Sequence, residues 1–462
     1  MQTDTQQVVR VDSDNVLTSY YCGVGFEWDP SDDHDYTEEQ WQTIFRRVAY
    51  TRVPIIRLML RAASYVTGWD EAGNPIYDWE SAHMRRVYRI LDFCEEHRID
   101  VIIGEWSRSP EIGITVSDNP VWAELIGDFL AYMLDVRRYT VLRYYNFINE
   151  PNGYWATEDG DRFAIWSRGL RNLEGIMRKR QLWGRIELLG PDSSNQDEWV
   201  DWSVHEHGSI LSAYDVHRYV MDEDIRSGEM ERQIRMKRSY IDEHDPEGAS
   251  KSYLMTEAGI VEGKDELHDQ QPRVKTFEYG VLMADFTIQS ILGGQAGMIA
   301  WMLDDSMHRA PGYTRGSGEL KTWGFWNTIG PVEEQALRPW YYPMSLLSRY
   351  MPRGCRTVRV DLGNRPLVRG AAAFADNGVT VAIVNEGSES MQLTLVMSGV
   401  HEIRTLTEYV YADSLRPADR DGFPVPASLR SDVNLDAGIK VTIPACSFVL
   451  LTSMSIAEEW MQ

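Results

Sequence analysis

Two glutamates carry the strongest chemical signal in this sequence. Glu150 stands in Asn149-Glu150-Pro151-Asn152 and Glu257 in Thr256-Glu257-Ala258-Gly259, each just after a short apolar run. Cleaving a glycosidic bond requires one carboxyl group to protonate the departing oxygen. A second must attack the anomeric carbon or activate water. Asn-Glu-Pro alone is more often a loop turn, but the two glutamates have company at comparable places: Glu27, Arg57, Glu105 with Trp106, Asp192, His217 with Tyr219, and Trp301. Helix capping accounts for some of the acidic residues. It does not account for the Arg, His, Tyr and Trp. Arg57 near a carboxylate would favour its ionised form. His217 and Tyr219 are two residues apart on one run, so both point to one face, the tyrosine toward the nucleophile and the histidine toward the acid.

These residues need a frame that gathers them. Eight apolar runs supply it: 20–28, 55–60, 100–106, 141–150, 186–192, 213–220, 252–259 and 297–305. Near-continuous hydrophobicity over such short lengths is what parallel strands buried on both faces require. Helical stretches separate them. In 277–291, Phe277, Val281, Ala284, Ile288 and Ile291 form one apolar stripe, and Gly293-Gly294 ends it. The pattern predicts a (β/α)8 TIM barrel over residues 1–350. Its active site would lie at the carboxyl ends of the strands, where the polar residues above converge. From 351 to 462 short alternating runs separated by turn signals predict a C-terminal antiparallel β-sandwich. Val8, Val9 and Val11 would add a strand to it from residues 1–17.

Composition narrows the partners. The chain has 462 residues and a formal net charge of −24. Such a field repels nucleic-acid backbones and anionic lipid. No apolar run approaches the ~18 residues that cross a bilayer, and the N-terminus lacks a secretory pattern, so a cytoplasmic location is expected. Sixteen Trp and 23 Tyr offer flat faces of the kind that pack on sugar rings. Four distant cysteines predict buried thiols. His205 and His207 have no third metal ligand in view, and the acidic run 31–35 reads as a solvated loop, so neither metal nor cofactor is expected. Trp28, Tyr154, Trp155, Asp304, Trp323 and Trp326 are further candidates for rim loops.

The ordered series Arg57, Asn149-Glu150, His217-x-Tyr219, Glu257, Trp301 resembles the active site of glycoside hydrolase family 5, in clan A of the retaining (β/α)8 glycosidases, and the likeness spans residues 18–350. The resemblance implies Glu150 as acid/base, Glu257 as nucleophile and Asn149 on the sugar 2-hydroxyl. It further implies Arg57 and Tyr219 orienting Glu257, Trp301 under the attacked sugar, and a cis peptide after Trp301. One departure is Gly104-Glu105-Trp106 where family 5 usually carries a histidine; families 39 and 30 share the catalytic pair. Glu105 would then accept sugar hydroxyls, with Glu27 and Trp106 beside it. The activity implied is an exo-β-glycosidase on short oligosaccharides, of β-mannosidase type. β-Glucosidase, endo-β-glucanase and transglycosylase are the alternatives, and a non-enzymatic carbohydrate-binding protein is disfavoured because both carboxylates are present.

Overall fold

The computed structural model describes residues 7–31, 34–153, 159–305, 321–363, 365–401 and 403–456. Tyr154 and Trp155 lie outside them. Eight parallel strands close into a barrel: Gly23–Glu27, Ile55–Leu60, Asp100–Glu105, Leu142–Asn146, Glu187–Ser194, Ala213–Val220, Ser252–Ile260 and Gly297–Ala300. They are called the first to eighth barrel strands below. Every residue of the second strand is buried, as expected of a strand covered on both faces. The intervening helices begin where a side chain satisfies free backbone N–H groups. Thr37 and Gln40 form a capping box, and Ser81, Asn119, Asp161 and Thr276 each accept from an N–H of the first turn.

The base of the barrel is filled by Cys22, Ile55, Ile102, Tyr144, Leu189, Ala213, Leu254, Ala296 and Ile299. Side chains alternate along a strand, so stepping two residues from that layer brings Arg57, Gly104, Asp215 and Trp301 inward at the next level. At Gly104 a Cβ would lie 2.4 Å from the Asn146 carbonyl oxygen, so only hydrogen fits between the third and fourth strands there.

Apart from a two-stranded hairpin, Val66–Trp69 with Pro75–Tyr77, the remaining strands form one nine-stranded sheet rather than two separate ones. Its spatial order is Ser428–Val433, Ile403–Ala412, Ser447–Thr452, Gly378–Asn385, Val368–Ala375, Arg356–Asp361, Gln7–Thr18, Met391–Met397, Ile439–Ile443. The N-terminal strand pairs antiparallel with Arg356–Asp361 and parallel with Met391–Met397, so the sheet is mostly, not wholly, antiparallel. It closes over its own core of Val9, Val358, Ile383, Leu395, Val441 and Leu451. Its other face, with Ala371, Ala373, Ala382, Val384, Phe448 and Leu450, joins the core of the barrel.

That second face changes the helix Phe277–Leu292. The helix and its stop at Gly293 follow the sequence, but burial extends beyond the expected stripe, since Tyr279 to Leu292 are all buried. The sheet covers the side that a barrel helix would otherwise present to water. A Cβ on Gly280 would stand 2.5 Å from the Tyr411 hydroxyl oxygen, which marks how closely the two parts approach. Ion pairs cross the same seam. Arg369 of the sheet pairs with Asp285 of the helix, and Arg226 of the barrel lies 3.3 Å from a Glu386 oxygen of the sheet. Burial, and then the neighbouring Asp285 carboxyl, push Glu386 up to about 9. Among the described residues no helix is long and apolar enough to cross a membrane.

Candidate active site

Arg57, on the second strand, has no exposed surface and donates in four directions. Its Nη1 reaches Glu257 Oε1 at 2.7 Å and the two Glu27 oxygens at 3.1 and 3.0 Å; its Nη2 reaches Asn149 Oδ1 and Asp192 Oδ2, each at 2.8 Å. Tyr219 donates its hydroxyl to the other Glu257 oxygen at 2.7 Å. Both oxygens of Glu257 therefore accept a hydrogen bond. His217 lies between the glutamates, with Nδ1 2.8 Å from Glu150 Oε1 and 3.5 Å from Glu257 Oε2. An oxygen of each glutamate and the His217 nitrogen lie within 4.8 Å of one another. Two carboxylates 107 residues apart in the chain thus face each other at close to the ~5–5.5 Å of a nucleophile and its acid/base.

Local irregularities aim these groups. The ladder between the sixth and seventh strands pairs Met255 with Val216 and then Glu257 with His217, leaving Thr256 as an extra residue. This bulge lets the neighbours Thr256 and Glu257 both serve the interior. A matching insertion between Gly190 and Ser193 on the fifth strand carries the cis Gly190–Pro191 peptide and Asp192, at φ 59°. Glu150 has φ 42°, and the N–H of Gly153 closes the turn on its carbonyl at 2.8 Å. Left-handed backbone at a non-glycine residue costs about 1–2 kcal/mol, which the surrounding hydrogen bonds offset. The rim is stitched by Trp28 N–H to Arg57 O, Trp106 N–H to Leu60 O, Asn149 N–H to Glu105 O and Trp301 N–H to Ala258 O.

The structure brings Glu27, Arg57, Asn149, Glu150, His217, Tyr219 and Glu257 into one cluster. Trp106 lies over the Arg57 guanidinium at 5.7 Å and meets Trp301 edge to face at 5.8 Å. The peptide between Trp301 and Met302 is cis. Glu105 is a correction. Ile102, Gly104 and Trp106 take the inward phase of the third strand, so Glu105 points outward through the barrel wall. There it accepts from the Tyr65 hydroxyl at 3.1 Å beside Tyr145, and burial pushes its carboxyl up to about 8. It is out of reach of a sugar in the mouth.

Other rim candidates serve packing. Trp28 lies against Phe45 and Phe93, Asp304 accepts from Thr328, and Trp326 is fully buried. Trp323 borders the cluster, edge-on to Tyr219 at 5.7 Å. His207 bonds Ser167 and His205 bonds Tyr240, so the pair is split between two partners.

Three participants carried no role in the sequence reading: Asp192, Asp215 and Thr256. Asp192 accepts from Arg57 with Oδ2 and bonds His217 Nε2 through Oδ1 at 2.9 Å. Thr256 Oγ1 stands 2.8 Å from Asp215 Oδ2 and 3.2 Å from Asp192 Oδ1, and the Asp192 N–H donates to Asp215 Oδ1 at 2.7 Å. Asp215 was findable, being two residues before His217 on the same face. The sequence places Asp192 at a strand end and Thr256 beside Glu257, but the contacts they make depend on the bulges.

Five carboxyl groups and two cations in one buried cluster cannot all be charged. Burial pushes Glu27 up to about 8, with Arg57 opposing. Burial, then the neighbouring Asp192, push Asp215 well above the ordinary carboxyl range. For Asp192 burial works against ionisation, but Arg57 and His217 outweigh it and hold the group below that range. Burial likewise opposes a charged His217, yet Asp192 and Glu257 outweigh it and hold the imidazolium. Glu257 is raised by burial, against the pull of His217 and Arg57.

No family model matches the chain, and no curated protein does. Solved structures do. The catalytic domain of a GH30 xylanase C from Talaromyces cellulolyticus superposes with a TM-score of 0.68 at 11% identity, covering 97% of this chain and 100% of its own. An α-L-arabinofuranosidase from Thermotoga maritima gives 0.65 at 12%, over 96% and 99%. A GH39 enzyme from Xanthomonas axonopodis pv. citri gives 0.61 at 15%, over 97% of each. What these proteins share with the chain is the fold, a parallel barrel with an appended β-rich part, along its whole length.

Proposed function

We propose that the protein is a retaining O-glycosidase of clan A, working by double displacement with Glu257 as nucleophile and Glu150 as acid/base. The observation that carries this reading is the approach of these two glutamates to within 4.8 Å across the carboxyl ends of the fourth and seventh strands. Named glycoside hydrolases among the structures of like fold support it. They stand in GH30 and GH39 rather than family 5, so the clan rather than that family is the level proposed.

The charges of the cluster suit the first step. With Glu27 and Asp215 holding protons and Glu150 protonated as the acid, Asp192 and Glu257 balance Arg57 and His217. Glu257 attacks the anomeric carbon as Glu150 gives its proton to the leaving oxygen, and a glycosyl ester forms. Glu150, now a carboxylate, takes a proton from water, the water oxygen attacks the same carbon, and Glu257 departs. Arg57 and Tyr219 orient Glu257 throughout. Because Arg57 binds the Asn149 oxygen, the amide nitrogen is left to meet the sugar 2-hydroxyl, and Trp301 forms the floor.

Exo action on a short oligosaccharide is the finer part of the proposal, supported by the enclosure of the pair: Glu150 is 5% exposed and Glu257 4%. For the sugar itself, the β-mannosidase expectation from family 5 stands beside the xylanase and arabinofuranosidase names of the structural neighbours. A panel of aryl β-mannoside, β-glucoside, β-xyloside and α-L-arabinofuranoside, assayed with wild type and Glu257→Ala, decides among them. One glycone is expected to dominate, the variant to fall to background, and NMR to show the retained anomer first. A variant as active as wild type, or an inverted first product, refutes the mechanism.

A further inference from the structure

Behind the two glutamates lies a carboxylate that touches neither. Asp192 is 1% exposed and receives three donors: Arg57 Nη2 on one oxygen, His217 Nε2 and Thr256 Oγ1 on the other. Each cation it binds passes on to a different glutamate, Arg57 to Glu257 at 2.7 Å and His217 to Glu150 at 2.8 Å. We propose that Asp192 is a positioning residue common to both halves of the site, which holds Arg57 on the nucleophile and keeps His217 doubly protonated against the acid/base. This inference rests on the glycosidase reading for its consequence in catalysis, but not for its claim about His217.

With the Glu150 proton on Oε2, both ring nitrogens of His217 face accepting carboxyl oxygens and both are placed to donate. Glu150 after the fourth strand, Asp192 on the fifth and Glu257 on the seventh face the ring, Asp215 on its own strand and Glu27 on the first act on it as neighbouring charges, and Arg57 on the second shares Asp192 and Glu257 with it. The Thr256 hydroxyl stands within donating distance of both aspartates, and when its single proton goes to Asp192 all three donors point at one carboxylate. The bulge at Thr256 and the insertion at Asp192 both serve this bond.

An amide at this position cannot repeat the arrangement. In Asp192→Asn the side chain offers one acceptor and one donor to two cations. Arg57 does not give up its proton, whereas an imidazolium does. The amide oxygen would stay on Arg57 and its NH2 would meet Nε2 of a neutral ring, with Nδ1–H still on Glu150. The variant therefore removes the Asp192 charge and with it the imidazolium charge 3.5 Å from Glu257, keeps the contacts with Arg57 and His217, and loses the bond accepted from Thr256.

The first test needs no substrate. In wild type labelled with 15N-histidine and assigned against His217→Asn, His217 is expected to keep its imidazolium signature through about pH 8, well past an ordinary histidine value of ~6.5. Titration to the neutral ring near that ordinary value overturns the proposal. In Asp192→Asn the ring is expected to become neutral at ordinary pH. The acidic limb of kcat/KM is expected to move up by about 1–3 pH units, the effect of removing an opposite charge at this range. A folded variant whose limb and ring signals match wild type also overturns it. Thr256→Val, which deletes one donor, is expected to shift both readouts the same way by less and serves if Asp192→Asn does not fold. A wild type with no glycosidase activity would refute the functional reading alone, since the histidine titration would still decide the role of Asp192.

Discussion

Glu105→Gln separates a sugar ligand from a buried wall residue. Glu105 has no exposed surface, accepts from Tyr65, and has its carboxyl pushed up to about 8 by burial, against an ordinary value of 4.5. Below about pH 4.5 the folded and unfolded chains both hold this proton, and the group contributes nothing to pH dependence. Above it the unfolded chain releases the proton and the folded one does not, so stability falls by ~1.4 kcal/mol per pH unit until about pH 8 and is level thereafter. The full gap of about 3.5 pH units corresponds to about 5 kcal/mol, an upper figure for one buried carboxyl. Glutamine keeps the acceptor for Tyr65 and has no proton to lose. Urea unfolding at pH 5, 7 and 9 should show the variant near wild type at pH 5 and increasingly more stable than wild type as pH rises. Its kcat/KM should stay near wild type, because only the backbone oxygen of Glu105 touches the rim, through Asn149. A stability difference independent of pH refutes the burial argument. A large loss of kcat/KM with stability intact would return Glu105 to the sugar site.

Glu150→Ala should lose ~10²–10⁴-fold in kcat/KM on substrates with basic leaving groups and far less on dinitrophenyl glycosides, which leave unaided; added azide should then yield a glycosyl azide of retained configuration, and equal losses on both substrate types would remove Glu150 from the acid role. Glu386→Gln, at the seam between sheet and barrel, should match wild type in stability at pH 5 and exceed it at pH 9, because the raised Glu386 carboxyl costs stability as pH climbs toward about 9; thermal unfolding across that range checks it, and a variant less stable at pH 9 refutes it.

The barrel was legible because its strands are buried on both faces, which leaves a continuous apolar signature such as Ile55–Leu60. The sheet was less so. Val368–Ala375, with its run of alanines, has little β-branched signal, and it became a strand through pairing along its whole length with Gly378–Asn385. Ile403–Ala412 and Ser428–Val433 are likewise fixed by pairing in register with each other. Within the site, the misplaced residue was Glu105, one step out of phase with Gly104 and Trp106. Nothing local in Gly-Glu-Trp says which of three residues faces the axis; the inward layer of Ile102 sets it.

By itself, the sequence determined which residues stand at strand ends and that two glutamates, a histidine, a tyrosine and an arginine would share a rim. Which residues share a face is a local property, repeated every two residues, and survives without knowledge of the fold; which face turns inward is not. Only the tertiary structure decided that Asp192 joins Arg57 to His217, that Thr256 and Asp215 stand behind it, and that one helix is enclosed by a distant sheet. Those outcomes depend on two single-residue insertions and on the meeting of segments far apart in the chain. Bulges and long-range contacts leave no period in a sequence, because their stabilisation arises only once the neighbouring strands are in place.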